Sequence, residues 1–348
     1  MARLGHARRA PAAGPLVAGI ELAAGAVRVV IGHRDGGRLR VTSVGSRSLP
    51  VGAIVAGLVV DRSAVEGALA GLLAHAEAGG RATRVVVALD GDDVRTFHLT
   101  TRVERPTANA PVTAAELARA DHRAAADLAE QARAATSADL ALRGIATVQA
   151  REDRSGYLLD GRSLASLVGF QGRLMDVRSD LTILPLVMSG AGLAVMGGRR
   201  ASIACGTHAL ARSLVGSVTD DTAVVRVGAD LTSVAVLRSG DVRATCSFSL
   251  GRSELEARLV EEDASVWASA VVEALGDGET PARWILGGVA DPRLERALVA
   301  AAAERHGPAV EVLPLRLEML TRVIAEPTLE VTDLVAVAAA ALAAEISP

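Results

Sequence analysis

The chain carries one strand and helix layout twice, and this duplication restricts its fold more than any other feature of the sequence. In the first copy, Val- and Ile-rich segments predict strands and a periodic apolar segment predicts a helix, at residues 16–22, 27–32, 39–49 and 64–78. In the second copy, the corresponding strands and a long helix are predicted at residues 223–227, 233–238, 242–248 and 251–275. Two copies of such a unit predict a duplicated α/β architecture.

Between the two copies, the sequence predicts a central strand and then a separate insert. Residues 84–89 (RVVVAL) are continuously apolar after the first arginine, which is typical of a buried, parallel strand. Thr113 and Glu116 form a capping-box pattern that begins an Ala-rich helix ending near residue 135. Short strands and a helix are then predicted at residues 140–150, 156–159, 173–184 and 185–193. The predicted domains are a disordered lead-in (1–15), a first lobe (16–110), an insert (111–200) and a second lobe (201–348).

Composition excludes several classes of protein. All 37 basic residues are arginine, which excludes a Walker-A nucleotide loop, a Schiff-base enzyme and a protein kinase, because each needs a lysine. A net charge of −3 and an aromatic content of 2% argue against a nucleic-acid surface. Cys205, Cys246 and the seven histidines are scattered singly, so we expect no zinc site and no disulfide framework.

The longest apolar run covers residues 334–344 and is too short for the ~20 residues that cross a bilayer. It predicts a buried helix. The basic start of the chain lacks the apolar core of a signal peptide, so the expected location is the cytoplasm.

Several motifs resemble those of actin-like proteins. Residues 19–25 (GIELAAG) and 226–232 (RVGADLT) stand where these proteins have their two phosphate loops, and residues 285–288 (ILGG) stand at the adenosine loop. The pattern Gly52, Ile54, Gly57, Val59, Asp61 matches the segment before the first helix, and residues 157–176 resemble the FtsA insert, with 168–174 (VGFQGRL) as its most specific part. The chain therefore resembles the FtsA family over residues 16–345. It also resembles the PilM family of type IV pilus assembly, which shares this plan and this length.

The resemblance implies a duplicated actin-like (ribonuclease H-like) ATPase fold with a small FtsA-type inserted subdomain. It also implies a cleft that binds ATP with Mg²⁺ in active relatives. The residues at the matching positions are Glu21, Ala23, Ala24, Gly25, Gly228, Ala229, Thr232, Gly287 and Gly288.

The two loops depart from the family pattern. Ala23 and Ala24 replace a glycine and a hydroxyl residue, Arg226 stands at the place of an aspartate, and Asp230 puts a carboxylate where a phosphate would approach. We therefore predict a degenerate nucleotide cleft, no catalytic residue and no ATP hydrolysis, with binding of ATP and Mg²⁺ left open. Because the two loops face each other in this architecture, Glu21 and Arg226 are predicted to interact directly or through one water.

The function implied by the resemblance is that of a cytoplasmic scaffold. An FtsA-like scaffold would link an FtsZ-type filament protein to membrane division proteins, would contact neighbours through its insert and could self-associate. The alternatives are a PilM-like component of the pilus platform and an active actin-like ATPase. The sequence after Glu345 lacks the amphipathic helix of FtsA, so membrane contact is expected only through partners, and the isolated chain is expected not to bind anionic liposomes.

Overall fold

The computed structural model describes residues 2–6, 14–139, 141–218, 220–258, 261–276, 280–288, 291–307 and 310–345. The strands are β1 (Ala2–His6), β2 (Leu16–Ala23), β3 (Ala26–Asp35), β4 (Arg38–Ser48), β5 (Ile54–Val55), β6 (Leu58–Val59), β7 (Arg84–Leu89), β8 (Arg95–Glu104), β9 (Thr147–Leu159), β10 (Arg162–Leu164), β11 (Leu174–Pro185), β12 (Ala201–Cys205), β13 (Thr222–Val227), β14 (Thr232–Arg238), β15 (Asp241–Phe248), β16 (Arg283–Gly287), β17 (Glu311–Pro314) and β18 (Val323–Ala325). The helices are α1 (Arg62–Ala76), α2 (Ala114–Ala138), α3 (Leu186–Ala194), α4 (Gly206–Leu214), α5 (Arg252–Arg258), α6 (Glu261–Glu273), α7 (Pro292–His306) and α8 (Leu334–Ala343), with 3₁₀ turns at Leu317–Met319 and Val331–Asp333.

The first lobe is built on a sheet ordered β1-β4-β3-β2-β7-β12, with β18 beside β4. Strands β2, β3 and β4 pair antiparallel, whereas β7 is parallel to its neighbours β2 and β12. This confirms the predicted central strand at residues 84–89, which is apolar on both faces because helices cover both. Helix α1 packs on one face through Leu69 and Leu72, and α8 covers the other.

The second lobe repeats this plan and confirms the predicted duplication. Its sheet is ordered β15-β14-β13-β16-β17, with β13, β14 and β15 antiparallel and β16 and β17 parallel to β13. Trp267 of α6 and Leu298 of α7 pack on its outer face. On the inner face, Val224 and Ile285 join one hydrophobic core with α4, α8 and the first sheet. The predicted helix over 251–275 is described as two helices, α5 and α6, and residues 259 and 260 lie outside the described residues.

The insert is a sheet ordered β10-β9-β11-β8, covered by α2. Leu128 and Ala132 of α2 pack against Leu181 and Ile183 of β11. The insert begins at β8 and ends at β11, so the predicted boundaries of 111 and 200 are wrong. β8 pairs with β11 across a long sequence separation, which the local periodicity of either segment does not reveal. Residues 147–150 and 156–159 of the predicted strands belong to the single strand β9, whereas residues 141–146 form the turn before it and were wrongly predicted as strand. Residue 140 lies outside the described residues.

The second lobe does not begin at residue 201 as predicted, because β12 extends the first sheet beside β7. The chain also returns to the first lobe at its far end, where α8 packs on β2. At the start of the chain, residues 2–6 form β1 against β4, so the predicted disordered lead-in is wrong there. Residues 43–47 of β4 would otherwise have open hydrogen-bonding groups at this edge, because β18 pairs only with residues 39–41, and this explains the pairing with β1. Residues 1 and 7–13 lie outside the described residues.

Helix α8 confirms the predicted buried helix, since all its residues from Leu334 to Ala343 are buried. Its approach to β2 depends on Gly19. A Cβ atom at Gly19 would lie 2.0 Å from the Ala336 carbonyl oxygen and 2.2 Å from the Ala340 nitrogen. The small residue therefore sets the distance between the helix and the strand that leads into the cleft. Within the described residues, no helix has the length and apolar character required to cross a membrane.

Candidate functional site

The carboxyl ends of three strands meet between the two lobes. Two of them, β2 and β7, are parallel neighbours in the first sheet, and β13 holds the position of β2 in the second sheet. β2 carries Glu21 near its end, β7 is followed by Asp90, and β13 carries Arg226. In α/β sheets, this edge is where ligands bind, because the loops that leave the strands can shape a site there. The duplication thus places the two sequence-predicted loops across one cleft.

Arg226 bridges the two lobes through its guanidinium group. Its Nη1 donates to Glu21 Oε1 at 2.7 Å, and its Nη2 donates to Asp90 Oδ2 at 2.9 Å. The side chains of Glu21 and Asp90 are 1% and 3% exposed, so the bridge is shielded from water on the first-lobe side. The predicted contact between Glu21 and Arg226 is confirmed, and it is direct.

Each carboxylate has further partners in the first lobe. Glu21 also accepts from Arg28 Nη1 at 2.9 Å, and Asp90 accepts from the Thr207 backbone nitrogen at 2.8 Å. Burial alone would lower the pKa of Arg226, but the charges of Glu21 and Asp90 outweigh it and raise that pKa above its ordinary value. The guanidinium group therefore stays charged at any physiological pH.

A second contact between the lobes uses Asp230, the residue predicted to repel a phosphate. Its Oδ2 accepts from the Ala56 backbone nitrogen at 2.7 Å, in the tight turn between β5 and β6. Ala56 and Gly57 both adopt positive φ there, and a Cβ at Gly57 would lie 2.1 Å from the Asp90 carbonyl oxygen. The turn thus touches both Asp90 and the second lobe, and Ser249 adds a hydrogen bond to Asp92.

The space left in the cleft is small. The cavity at this position has a volume of ≈ 60 Å³, whereas pockets for ligands of nucleotide size are usually about 300–1,000 Å³. Five of the residues predicted for the cleft line it: Ala23, Ala24, Gly228, Ala229 and Gly288. Arg28 and Arg226, which both bind Glu21, line it too.

The other predicted cleft residues, Gly25, Thr232 and Gly287, do not line the cavity and have roles in turns and packing. Gly25 is in the turn between β2 and β3 with a positive φ of 82°. Thr232 is buried, where its hydroxyl donates to the Leu250 carbonyl oxygen and accepts from Trp267 Nε1. A Cβ at Gly287 would lie 2.7 Å from Leu315, so this glycine allows close packing of the adenosine-loop segment.

Two residues of the bridge were not singled out from the sequence. Asp90 directly follows the buried strand 84–89, and an acidic residue at the carboxyl end of such a strand is a usable signal for a site. Arg28 had no such signal, because it lies within an alternating strand. It reaches Glu21 through the antiparallel register that pairs these two residues across β2 and β3.

The histidines are not all isolated, contrary to expectation. The rings of His98 and His208 have centroids 5.3 Å apart, and Asp180 contacts both. These residues come from β8, β11 and α4, so their sequence spacing gave no metal-binding pattern. Cys205 and Cys246 are not disulfide-bonded, and burial raises the pKa of the Cys246 thiol to about 11, which leaves it protonated and unreactive.

A wider groove of ≈ 670 Å³ lies between the insert and the first lobe. Its lining includes five arginines, which are Arg34, Arg151, Arg154, Arg212 and Arg322. Its three acidic residues are all paired: Asp153 with Arg151 at 2.6 Å, Glu152 with Arg154 at 3.5 Å and Glu345 with Arg84 at 2.7 Å. Among the arginines, Arg154 also pairs with Asp121 at 3.0 Å and Arg212 with Asp180 at 3.5 Å, so the positive charge of the groove is partly balanced.

Comparison with known proteins supports the fold. No family model matches the chain, and no curated protein matches its sequence. Among solved structures, a chain of the "PilM-PilN type IV pilus biogenesis complex" is similar with a TM-score of 0.57 and 16% identity, over 97% of this chain and 100% of that one.

Two further solved structures are similar at lower scores. The ethanolamine utilization protein EutJ from Carboxydothermus hydrogenoformans has a TM-score of 0.43 and 15% identity over 95% of this chain and 92% of its own. A Bacteroides thetaiotaomicron protein described as having an actin-like ATPase fold has a TM-score of 0.42 and 11% identity, over 86% of this chain and 90% of its own. The chain has the duplicated α/β fold of the actin-like ATPases.

Proposed function

We propose that the chain is a cytoplasmic actin-like scaffold that acts through protein contacts and without nucleotide turnover. The observation that carries this proposal is the Arg226 bridge. Its guanidinium group lies between Glu21 and Asp90, the carboxylates best placed to hold a metal ion, and supplies the positive charge that Mg²⁺ would otherwise bring. The cavity of ≈ 60 Å³ beside it supports the same conclusion.

The groove between the insert and the first lobe is the proposed partner site. Its volume of ≈ 670 Å³ suits an extended protein segment, and its five arginines, among them the exposed Arg34, favour an acidic one. The similar solved chain belongs to a PilM-PilN complex of type IV pilus biogenesis, and by analogy the partner of this chain would be a segment of another assembly protein. Among scaffolds, we therefore place a PilM-like platform role first.

An FtsA-like division role is the second candidate, and one observation favours it. The insert loop that resembles the FtsA segment exposes Val168 and Phe170, which are 44% and 50% exposed. Exposed apolar side chains on a projecting loop suit contact with a neighbouring subunit or a filament protein. Affinity purification with identification of bound proteins distinguishes the two roles, because the first predicts pilus platform proteins and the second predicts an FtsZ-type protein.

Calorimetric titration with ATP and Mg²⁺ tests the absence of nucleotide function. The parent chain should release no binding heat, because the Arg226 bridge and the small cavity leave no room for the nucleotide and its Mg²⁺. The control is ADP with Mg²⁺ under the same conditions. Micromolar binding of either nucleotide by the parent chain would contradict the proposal and favour the active ATPase.

A further inference from the structure

His98, Asp180 and His208 form a buried cluster where the insert meets helix α4. His98 Nδ1 and Asp180 Oδ1 are 2.8 Å apart, and His208 Nε2 lies 3.5 Å from Asp180 Oδ2. The side chains of His98, Asp180 and His208 are 9%, 7% and 1% exposed. Three elements that are distant in sequence thus bring three ligand-type side chains together away from water.

The ring nitrogens of this cluster are poorly satisfied. Within the described residues, His98 Nε2 and both nitrogens of His208 are buried without a hydrogen-bond partner. Buried polar atoms are normally paired, because an unpaired one loses its hydration without compensation. A group that accepts one nitrogen lone pair from each ring would satisfy one of these nitrogens on each histidine.

The chemistry of the three side chains matches a transition metal. We propose that His98, Asp180 and His208 bind a divalent transition-metal ion of the Zn²⁺ type, which joins the insert to the core shared by the two lobes. Two imidazoles and one carboxylate are a common ligand set for zinc, with water in the fourth position. One ligand atom from each residue lies within 4.8 Å of the others. Tetrahedral ligands at about 2.0–2.1 Å from zinc lie ~3.4 Å apart, so the three side chains must approach one another by up to ~1.4 Å to complete the site.

The proton of His98 and the charge of Arg212 both bear on this assignment. The neutral His98 ring carries one proton: when that proton is on Nδ1 in the hydrogen bond to Asp180, Nε2 offers its lone pair to the metal, and when the metal takes Nδ1 the proton moves to Nε2. Arg212 Nη1 lies 3.5 Å from Asp180 Oδ2 and orients this carboxylate from outside the cluster. Its positive charge lowers the affinity for a cation, so we expect a site that zinc loads reversibly.

Metal titration of the full chain tests this proposal. After treatment with EDTA and dialysis, the chain should bind one Zn²⁺ per molecule in calorimetry and should melt at a higher temperature with Zn²⁺ than without it. Asp180→Asn keeps the shape of the side chain but removes its charge, and it should weaken Zn²⁺ binding at least ~100-fold. His208→Gln should do the same.

The matched control is His33→Gln. His33 is also a buried histidine with an unpartnered Nδ1, but it lies on β3 away from the cluster. This variant should bind Zn²⁺ as the parent does. If His208→Gln does not fold, His98→Gln replaces it, and the visible absorption of bound Co²⁺ provides a second readout that Asp180→Asn should abolish. The proposal is overturned if the parent binds no Zn²⁺, or if Asp180→Asn binds it as tightly as the parent.

Discussion

The cleft between the lobes and the groove beside the insert differ in both charge and space. In the cleft, opposite charges are matched across the lobes and only ≈ 60 Å³ remains open. In the groove, arginines outnumber acidic residues and ≈ 670 Å³ is open. The difference supports the proposed function, in which the cleft between the lobes is closed by matched charges and the groove is the partner site.

The largest expected effect comes from breaking the cleft bridge. Arg226→Met leaves Glu21 and Asp90 without their shared cation, and removal of one partner from a buried ion pair typically costs about 3–5 kcal/mol of unfolding free energy. Arg28 still pairs with Glu21, so a loss near the lower end is expected. Urea denaturation measures it.

The control for this prediction is Arg173→Met. Arg173 also makes a two-point contact with a carboxylate, that of Glu104, but the two side chains are 69% and 59% exposed. Exposed pairs contribute about 0–1 kcal/mol. Equal losses for the two variants would show that the bridge in the cleft is no stronger than a surface pair.

A smaller loss is expected from the packing behind the cleft. Gly19→Ala forces a methyl group against the backbone of α8, and overpacking of this kind costs about 1–3 kcal/mol. Gly67→Ala on α1 is the matched control, because a Cβ there meets nothing within 4 Å. That variant should gain about 0.5–1 kcal/mol from helix propensity. A Gly19→Ala protein as stable as the parent would mean that α8 can move away from β2.

A substitution in the groove should have the opposite effect: it should change the unfolding free energy little and should clearly weaken the binding of a peptide. Arg34 is exposed in the groove, and no ion pair ties it to another described residue. Arg34→Glu should alter the unfolding free energy by less than about 0.5 kcal/mol. It should weaken binding of an acidic peptide about tenfold, equivalent to ~1.4 kcal/mol, as measured by fluorescence anisotropy.

Arg62→Glu controls for a general effect of charge, since Arg62 is 63% exposed on α1 and does not line the groove. It should leave peptide binding unchanged. If both variants weaken binding equally, the peptide responds to overall charge and the groove is not its site.

Much of the fold could be predicted from the sequence because local patterns repeat. The continuous apolar segment 84–89 predicted a central strand, and the run from residue 334 predicted a buried helix. What these patterns lack is the partner of each element. The segment that forms α8 is apolar on all sides, so its sequence does not indicate that it packs on β2. The sequence of β12 is equally compatible with pairing in the first sheet and in the second.

The part of the site that could be predicted is the part related by the internal duplication of the chain. Glu21 and Arg226 stand at matching places of the duplicated motif, so their contact followed from the architecture. Asp90 joined them only through the parallel pairing of β7 with β2. The cluster of His98, Asp180 and His208 depends on three separate elements meeting, and no spacing along the chain encodes such a meeting.

The Arg226 bridge has a consequence for regulation. A ligand that closes a cleft is present at a concentration that varies, so the closed fraction of molecules varies with it. A side chain of the protein itself is present at a fixed effective concentration. If the Arg226 bridge closes the cleft as proposed, the relative position of the two lobes does not follow nucleotide supply, and a change in ATP concentration should leave it unchanged.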